Sequence, residues 1–244
     1  MPVNVDGNIL ESGDLTSTGQ LKRSIVTDGL EVYYDVNNSY SWPGSGGTWY
    51  NIVNNHSHLT LYNGISTSTF AGVQAWNFNS DGDRFEGDYQ GTGMTGNSTF
   101  EAWIYPGASE VTSGDRGTII LHNGGDAQYM SWNKSNNYLS SYWYGSTDNG
   151  YHEQVGPSSR STWTHWCTAW DSRAGRLFQY VDGINTGVAT TTNSGTPNDY
   201  LKIGRESTTR QFSGAMAEIR IYSRALRPDE VMLNFFSTKD KYGL

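Results

Sequence analysis

From Gly29 onward, apolar and polar residues alternate over short segments of the chain. A period of two is the pattern of β-strands that bury one face. It predicts strands at residues 30–36, 59–62, 75–78, 84–86, 100–105, 118–122, 129–132, 138–144, 163–170, 176–181, 200–203 and 215–222. These segments are rich in Tyr, Trp, Ile and Val and are separated by Gly, Asn and Asp, which is typical of a β-sandwich or β-barrel.

Local signals predict some of the connections between these elements. Asp182-Gly183 lies between two apolar residues and predicts a tight hairpin, since glycine accepts the positive φ of a type I′ turn. A longer hairpin loop is predicted at 134–137, where Asn and Ser separate two aromatic segments. One short helix is predicted over 228–236, because a proline at its first position is followed by two acidic residues.

The first 27 residues differ from the rest of the chain. They contain no aromatic residue and only scattered aliphatic residues. We predict that residues 1–27 form an extended N-terminal arm and that residues 28–244 form one sandwich domain. About a dozen strands exceed a seven-stranded immunoglobulin domain, and no linker or internal repeat divides the chain.

The composition excludes several classes of protein. Charged residues make up 16 % of the 244 residues, against roughly 25 % in an average soluble protein, and aromatic residues make up 14 %. Coiled coils need more Ala, Glu, Lys and Leu, and disordered chains lack aromatic residues. The sequence therefore predicts a folded all-β protein with an aromatic core.

Charge and hydropathy restrict the partners. A net charge of −8 argues against binding to nucleic acid or anionic lipid, and no apolar run approaches the ~18 residues of a membrane span. The first residues lack the pattern of a secretory signal, so we expect synthesis in a cytoplasm. Cys167 is the single cysteine, which excludes an intramolecular disulfide, and its apolar surroundings predict that it is buried.

Several segments, taken in order, resemble a known family. They are 29–35 (GLEVYYD), 40–49 (YSWPGSGGTW), 100–106 (FEAWIYP), 163–165 (WTH), 180–183 (YVDG), 201–204 (LKIG) and 212–226 (FSGAMAEIRIYSRAL). They are similar to the laminin-G-like, concanavalin A-like domains of structural proteins in tailed bacteriophages, over roughly residues 28–236. The arm segments 4–10 and 14–19 also resemble the leader that precedes such domains in marine phage virion proteins. The resemblance implies a jelly roll of two antiparallel sheets, which agrees with the predicted strands.

No catalytic motif is found, and we predict that the protein is not an enzyme. Glucanases of this fold carry Glu-x-Asp-x-x-Glu on one strand, and the sequence lacks it. Glu101 and Glu218 could approach each other, but Arg220 and Arg224 lie nearby and favour structural ion pairs. The sequence also contains no Gly-x-Ser-x-Gly motif around a nucleophilic serine.

An excess of aromatic residues between 129 and 152 raises the question of ligand contact. Sugars stack on aromatic rings, so the candidates for glycan or partner contact are Trp132, Tyr142, Trp143, Tyr144 and Tyr151. The alternatives are packing in the core and a protein interface, because aromatic residues serve both. Alternation along the strand sends Trp143 to the opposite face from its two tyrosine neighbours, so only part of the set can be buried.

Calcium is the one cofactor that the sequence suggests. Asp81 and Asp83 lie in a loop, and Asp171 follows a strand end, which are placements that suit a hard cation with oxygen ligands. Turn formation by Asp-Gly explains the same loop without an ion.

These observations lead to two functional hypotheses. The first, which rests on the resemblance, is a non-enzymatic structural protein of a phage virion, made in the host bacterial cytoplasm. It would be a capsid decoration (cement) protein, anchored partly by its arm to the major capsid protein or another virion protein. The alternative is a glycan-binding adhesion module of a tail fibre or capsid surface, whose partners are host or environmental glycans. The oligomeric state is left open, with a dimer and a trimer both considered.

Overall fold

The protein is described by a computed structural model over residues 24–89, 97–114, 116–123, 127–144, 149–154, 159–190 and 200–244. These residues form sixteen strands, one α-helix and a short 3₁₀ helix. The strands are β1 (Leu30–Asp35), β2 (Thr48–Trp49), β3 (Leu59–Tyr62), β4 (Ser66–Phe70), β5 (Val73–Phe78), β6 (Arg84–Asp88), β7 (Asn97–Pro106), β8 (Arg116–Asn123), β9 (Ala127–Asn133), β10 (Tyr138–Tyr144), β11 (Asn149–Gln154), β12 (Thr164–Asp171), β13 (Arg176–Val181), β14 (Ile184–Thr190), β15 (Tyr200–Ile203) and β16 (Gly214–Tyr222). Helix α1 (Pro228–Thr238) is followed directly by the 3₁₀ helix (Lys239–Tyr242). None of the helices in the described part is long and apolar enough to cross a membrane.

The strands form two antiparallel sheets that pack as a sandwich, so the predicted fold class is confirmed. Sheet 1 has the order β14-β13-β12-β7-β16-β5-β4, and β1 also pairs with β16. Sheet 2 has the order β11-β10-β9-β8-β15-β6-β3-β2. Neighbours such as β7 and β16, or β8 and β15, are far apart in sequence, which is how long connections build a two-sheet sandwich.

The core between the sheets is largely aromatic. The tryptophans that are buried completely at 49, 76, 132 and 166 belong to one cluster together with aliphatic residues from both sheets. Trp49, Trp76 and Phe85 pack edge-on or tilted, with ring centroids 4.9 to 5.8 Å apart. Such pairs add to the burial of apolar area, which is the main stabilising contribution.

The outer face of sheet 1 is covered by the C-terminal segment. Strands β7, β12 and β16 are therefore buried on both faces. Tyr242 of the 3₁₀ helix stacks on Trp103 at a centroid distance of 3.9 Å, and the indole N–H of Trp103 donates to Thr238 of α1 at 2.9 Å. Cys167 is buried under the same segment, as predicted.

Charged residues lie between sheet 1 and its helical cover. Arg220 Nε donates to Glu101 Oε2 at 3.0 Å, and Asn234 of α1 donates to the same oxygen at 2.9 Å. Lys241 pairs with Glu218 at 2.6 Å and with Asp35 at 2.9 Å. These polar contacts fix the helix to the sheet. The buried charges are paired with one another, as burial in a low-dielectric environment requires.

The local signals in the sequence correspond to observed structure. The predicted hairpin joins β13 to β14 with φ of 51° at Asp182 and 77° at Gly183, the two positive values of a type I′ turn. Helix α1 begins at Pro228, as predicted, and extends to Thr238. Residues 1–23 of the predicted arm lie outside the described residues, while Val26 donates its backbone N–H to Asn234 at 2.8 Å.

Candidate functional site

The outer face of sheet 2 is partly exposed at β3, β6 and β15, in contrast to that of sheet 1, while Thr118, Ser131 and Ser140 of the same alternation set are buried. Along β6 and β15, partly exposed residues alternate with buried ones such as Phe85 and Ile203. Phe85 pairs with Ile203 and with Leu61, and paired residues of antiparallel neighbours share a face, so all three point inward. Glu86 and Lys202 belong to the other set, so they lie on the outer face.

A charged and aromatic cluster occupies this face across β3, β6 and β15. Glu86 accepts hydrogen bonds from Arg84 Nε and from the Tyr200 hydroxyl, both at 2.7 Å, and Lys202 Nζ lies 3.7 Å away. The Arg84 guanidinium lies over the Tyr62 ring at 4.3 Å, and Lys202 lies over the Tyr200 ring at 5.6 Å. We call these five residues the face cluster.

The face cluster keeps its carboxylate ionised. Burial favours the neutral acid, but the hydrogen bonds from Tyr200 and Arg84 together hold the pKa of Glu86 below its usual value. Burial and the bond to Glu86 raise the pKa of Tyr200, so its hydroxyl stays protonated and donates. The face therefore presents a fixed anion, two cations and two phenol rings, which together supply donors, acceptors and stacking surfaces.

The strand register continues this face to the far edge of the sheet. The residues paired in succession from β2 to β11 are Thr48, Thr60, Glu86, Lys202, Leu121, Tyr129, Tyr142 and Tyr151. Tyr129, Tyr142 and Tyr151 thus stand at neighbouring positions on β9, β10 and β11. We call these three the tyrosine row.

The sequence-predicted aromatic candidates divide between the two alternation sets. Trp132 is buried completely in the core, so its ring is not available at the surface and this candidate is corrected. In the strand register, Tyr142 pairs with Tyr129 and Tyr151, Trp143 pairs with Gln128 and Gly150, and Tyr144 pairs with Ala127 and Asn149. The backbone positions of Tyr142, Trp143, Tyr144 and Tyr151 are described, and their side chains lie outside the description.

The three aspartates predicted as calcium ligands serve turns or pairs. Asp83 Oδ2 accepts the backbone N–H groups of Asn79 and Ser80 at 3.0 and 2.8 Å. Asp171 Oδ1 accepts two backbone N–H groups in the turn after β12, and Asp81 pairs with Arg205 at 3.2 Å. No three His, Cys, Asp or Glu side chains are grouped as metal ligands among the described residues.

The two glutamates considered for catalysis are buried in sheet 1. Glu101 and Glu218 are buried beneath the C-terminal segment, and both pair with Arg220, as predicted from the sequence. Arg224 pairs instead with Asp28 and Glu230, both at 2.8 Å. Asn234 of α1 contacts Glu101, and Lys241 and Tyr242 of the 3₁₀ helix contact Glu218, so a substrate would have to displace the C-terminal segment.

A two-sheet antiparallel sandwich with one covered face, and with aromatic and polar groups partly exposed on the other, defines a lectin-like jelly-roll domain. A family model described as the concanavalin A-like lectin/glucanases superfamily matches residues 88–232. The chain belongs to this superfamily. No curated protein matches the sequence significantly.

Solved structures support the same fold at low sequence identity. Domain 4 of the extracellular arabinanase AbnA from Geobacillus stearothermophilus, solved in complex with arabinotriose, is 17 % identical with a TM-score of 0.62, covering 83 % of this chain and 96 % of that one. The receptor binding domain of botulinum neurotoxin D is 11 % identical with a TM-score of 0.68, over 86 % and 53 % of the two chains. Trypanosoma rangeli sialidase in complex with sialic acid is 16 % identical with a TM-score of 0.64, over 93 % of this chain and 36 % of the sialidase. The chain thus spans about a third of the sialidase and about half of the neurotoxin domain.

Proposed function

We propose that this protein is a carbohydrate-binding module that holds glycans on the outer face of sheet 2. The observation that carries the proposal is the partly exposed face cluster of β3, β6 and β15, whose strands are in register with the positions of the tyrosine row. Sugar rings present apolar faces that stack on phenol rings, and their hydroxyls exchange hydrogen bonds with ionised and amide groups. The similarity to an arabinanase domain that was solved with arabinotriose supports a saccharide as the ligand.

Binding without hydrolysis is part of the proposal. A glycosidase needs a carboxylic acid whose pKa is raised so that it can protonate the leaving group. Glu86 is the carboxylate at the centre of the face, and its pKa is lowered by its partners. The face is suited to recognition rather than to acid catalysis.

The test is glycan binding by the wild-type chain and by a variant of the face cluster. A glycan array would identify ligands, and isothermal titration calorimetry would measure their affinity. Tyr62, 37 % exposed, can be removed as Tyr62→Ala with little effect on the core, and we expect an affinity loss of about tenfold. Ile184→Ala changes an exposed residue of sheet 1 and should bind normally. An array without hits, or full affinity in Tyr62→Ala, would contradict the proposal.

We propose as a second candidate that the module acts in a tailed-phage virion, as a capsid decoration protein or part of a fibre. Its support is the resemblance of segments 4–10, 14–19 and 212–226 to phage structural proteins. In this role the N-terminal arm, residues 1–27, would attach the domain to the major capsid protein or another virion protein. A chain that lacks residues 1–23 should keep its thermal unfolding transition and fail to bind particles, and retained particle binding would exclude the arm as the anchor.

A further inference from the structure

A cleft of about 340 Å³ lies beside the edge strand β2 of sheet 2 and its neighbour β3. It is lined by Tyr40, Tyr50, Asn51, Ile52, Val53, Asn54, Asn55 and His58. His58 immediately precedes β3, whose residues Thr60 and Tyr62 lie on the outer face. The cleft is therefore at the end of β2 and β3, and β3 also carries part of the proposed binding face. Its volume falls at the lower end of small-molecule sites, which span roughly 300–1,000 Å³.

Asn51 holds the floor of the cleft in a fixed shape. Its buried side-chain oxygen accepts the backbone N–H groups of Tyr33 at 3.0 Å and Val53 at 3.1 Å. Its amide nitrogen donates to the backbone oxygen of Glu31 at 3.0 Å and to Asn54 Oδ1 at 2.8 Å. A ligand would meet a site formed in advance, so little ordering cost opposes binding.

The same network sets the tautomer of His58. The backbone N–H of Asn51 donates to His58 Nδ1 at 3.0 Å, so in the neutral ring the proton is on Nε2. Burial and the neighbouring His56 lower the pKa of His58, and the ring is neutral at pH 7. Its edge packs against the Tyr50 ring at a centroid distance of 5.1 Å.

The groups that remain for a ligand are aromatic and uncharged. Tyr40 is 84 % exposed, and Tyr50 is 39 % exposed with its ring held by His58. The exposed Asn55 side chain makes no hydrogen bond to any described residue, so its donors and acceptor are available. No lining residue carries a charge at pH 7.

We propose that this cleft is a subsite for an uncharged saccharide unit. The ring faces of Tyr40 and Tyr50 would stack on the sugar, and Asn55 would pair with its hydroxyls. An acidic sugar would leave its solvation without gaining a cationic partner, which is unfavourable. This inference rests on the proposed function for the nature of the ligand, and adds a location and a charge preference to it.

The test compares a neutral oligosaccharide identified on the array with a uronic-acid oligosaccharide of the same length, by calorimetry. Wild-type protein should bind the neutral probe more tightly by about tenfold or more. Tyr50→Ala and Asn55→Ala should each lower the affinity for the neutral probe by about tenfold. Tyr50→Phe keeps the ring and should stay within about threefold of wild type. Thermal unfolding of each variant checks that it is folded.

The outcomes separate this inference from the proposed function. Wild type could bind the probes, with Tyr62→Ala weakening binding while both cleft variants bind normally. That result would overturn the cleft proposal and leave the proposed binding face standing. If the uronic-acid probe binds as well as the neutral one, the charge preference is overturned. If wild type binds no glycan at all, the proposed function fails and the cleft proposal fails with it.

Discussion

The strongest test of the fold concerns Arg220, which is 1 % exposed beneath the C-terminal segment. Its Nε lies 3.0 Å from Glu101 and one of its terminal nitrogens lies 3.6 Å from Glu218. Arg220→Met keeps most of the side-chain volume and removes the charge. Glu101 would then be left buried without a cation in contact with it, while Glu218 would keep Lys241 and Tyr242.

The expected magnitude follows from this geometry. Removing one partner of a buried ion pair costs about 3–5 kcal/mol, because the other charge stays desolvated. For a domain of this size, that corresponds to a fall of about 6–20 °C in Tm. Urea unfolding followed by tryptophan fluorescence measures the free energy of unfolding directly. Trp103 packs against His165 near the Arg220 cluster, and Trp166 is buried in the core.

Two comparisons make this prediction specific. Arg210→Met removes an exposed pair with Glu206 and should change the free energy of unfolding by less than about 1 kcal/mol. The double variant Glu101→Gln/Arg220→Met should be more stable than Arg220→Met alone, because the unpaired buried charge is gone. A loss below about 1 kcal/mol in Arg220→Met, or no recovery in the double variant, would refute the reasoning.

Three further predictions concern other parts of the molecule. Burial and Arg220 hold the pKa of His165 well below 6.5, so the unfolded chain binds this proton first as the pH falls. The free energy of unfolding should therefore fall by about 2 kcal/mol from pH 6.5 to pH 5. Urea unfolding of wild type and of His165→Gln at several pH values checks this, because the variant lacks the contribution. The Asp83 carboxylate accepts backbone N–H groups, so excess calcium should leave Tm unchanged. Asp83→Ala should lower Tm equally with and without a chelator. A rise in Tm on calcium addition would instead assign an ion to this loop. Gly204→Ala places a methyl group 2.1 Å from the Phe78 ring at a φ of +87°, and should cost at least about 2 kcal/mol in urea unfolding, with Gly44→Ala as an unobstructed control of similar φ.

Much of the fold could be predicted because period-two alternation is a local property. Every predicted strand overlaps an observed one, and the hairpin at Asp182-Gly183 follows from turn chemistry alone. Four strands were not predicted, namely β2, β4, β11 and β14, and they are the edge strands of the two sheets. Strand β2 has two residues, and the residues of the other three are mostly polar or small. Edge strands bury less surface, so their sequences are less constrained by packing.

The candidate site was harder to predict because it depends on strand order. The sequence identified an aromatic excess, but only the register shows which face each residue takes, and Trp132 belongs to the core. The face cluster joins residues of β3, β6 and β15, and β15 lies more than a hundred residues after β6 in the chain. The detectable local signal was the alternation of Glu86 with Phe85, which marks an outward carboxylate without naming its partners.

The outer faces of the two sheets differ in exposure, and the proposal places the ligand on sheet 2 for this reason. On sheet 1, a ligand would have to displace α1, break the stack of Tyr242 on Trp103 and expose Glu101 from its partners. Each of these contacts is buried, so the cost of uncovering that face exceeds what a few sugar hydroxyls can return. On sheet 2, Glu86 and Lys202 are already partly solvated and held in place, and a saccharide needs only to replace water there. The proposal therefore places the ligand at the ordered charged groups of sheet 2, and the cluster around Arg220 serves the packing of sheet 1 against its helical cover.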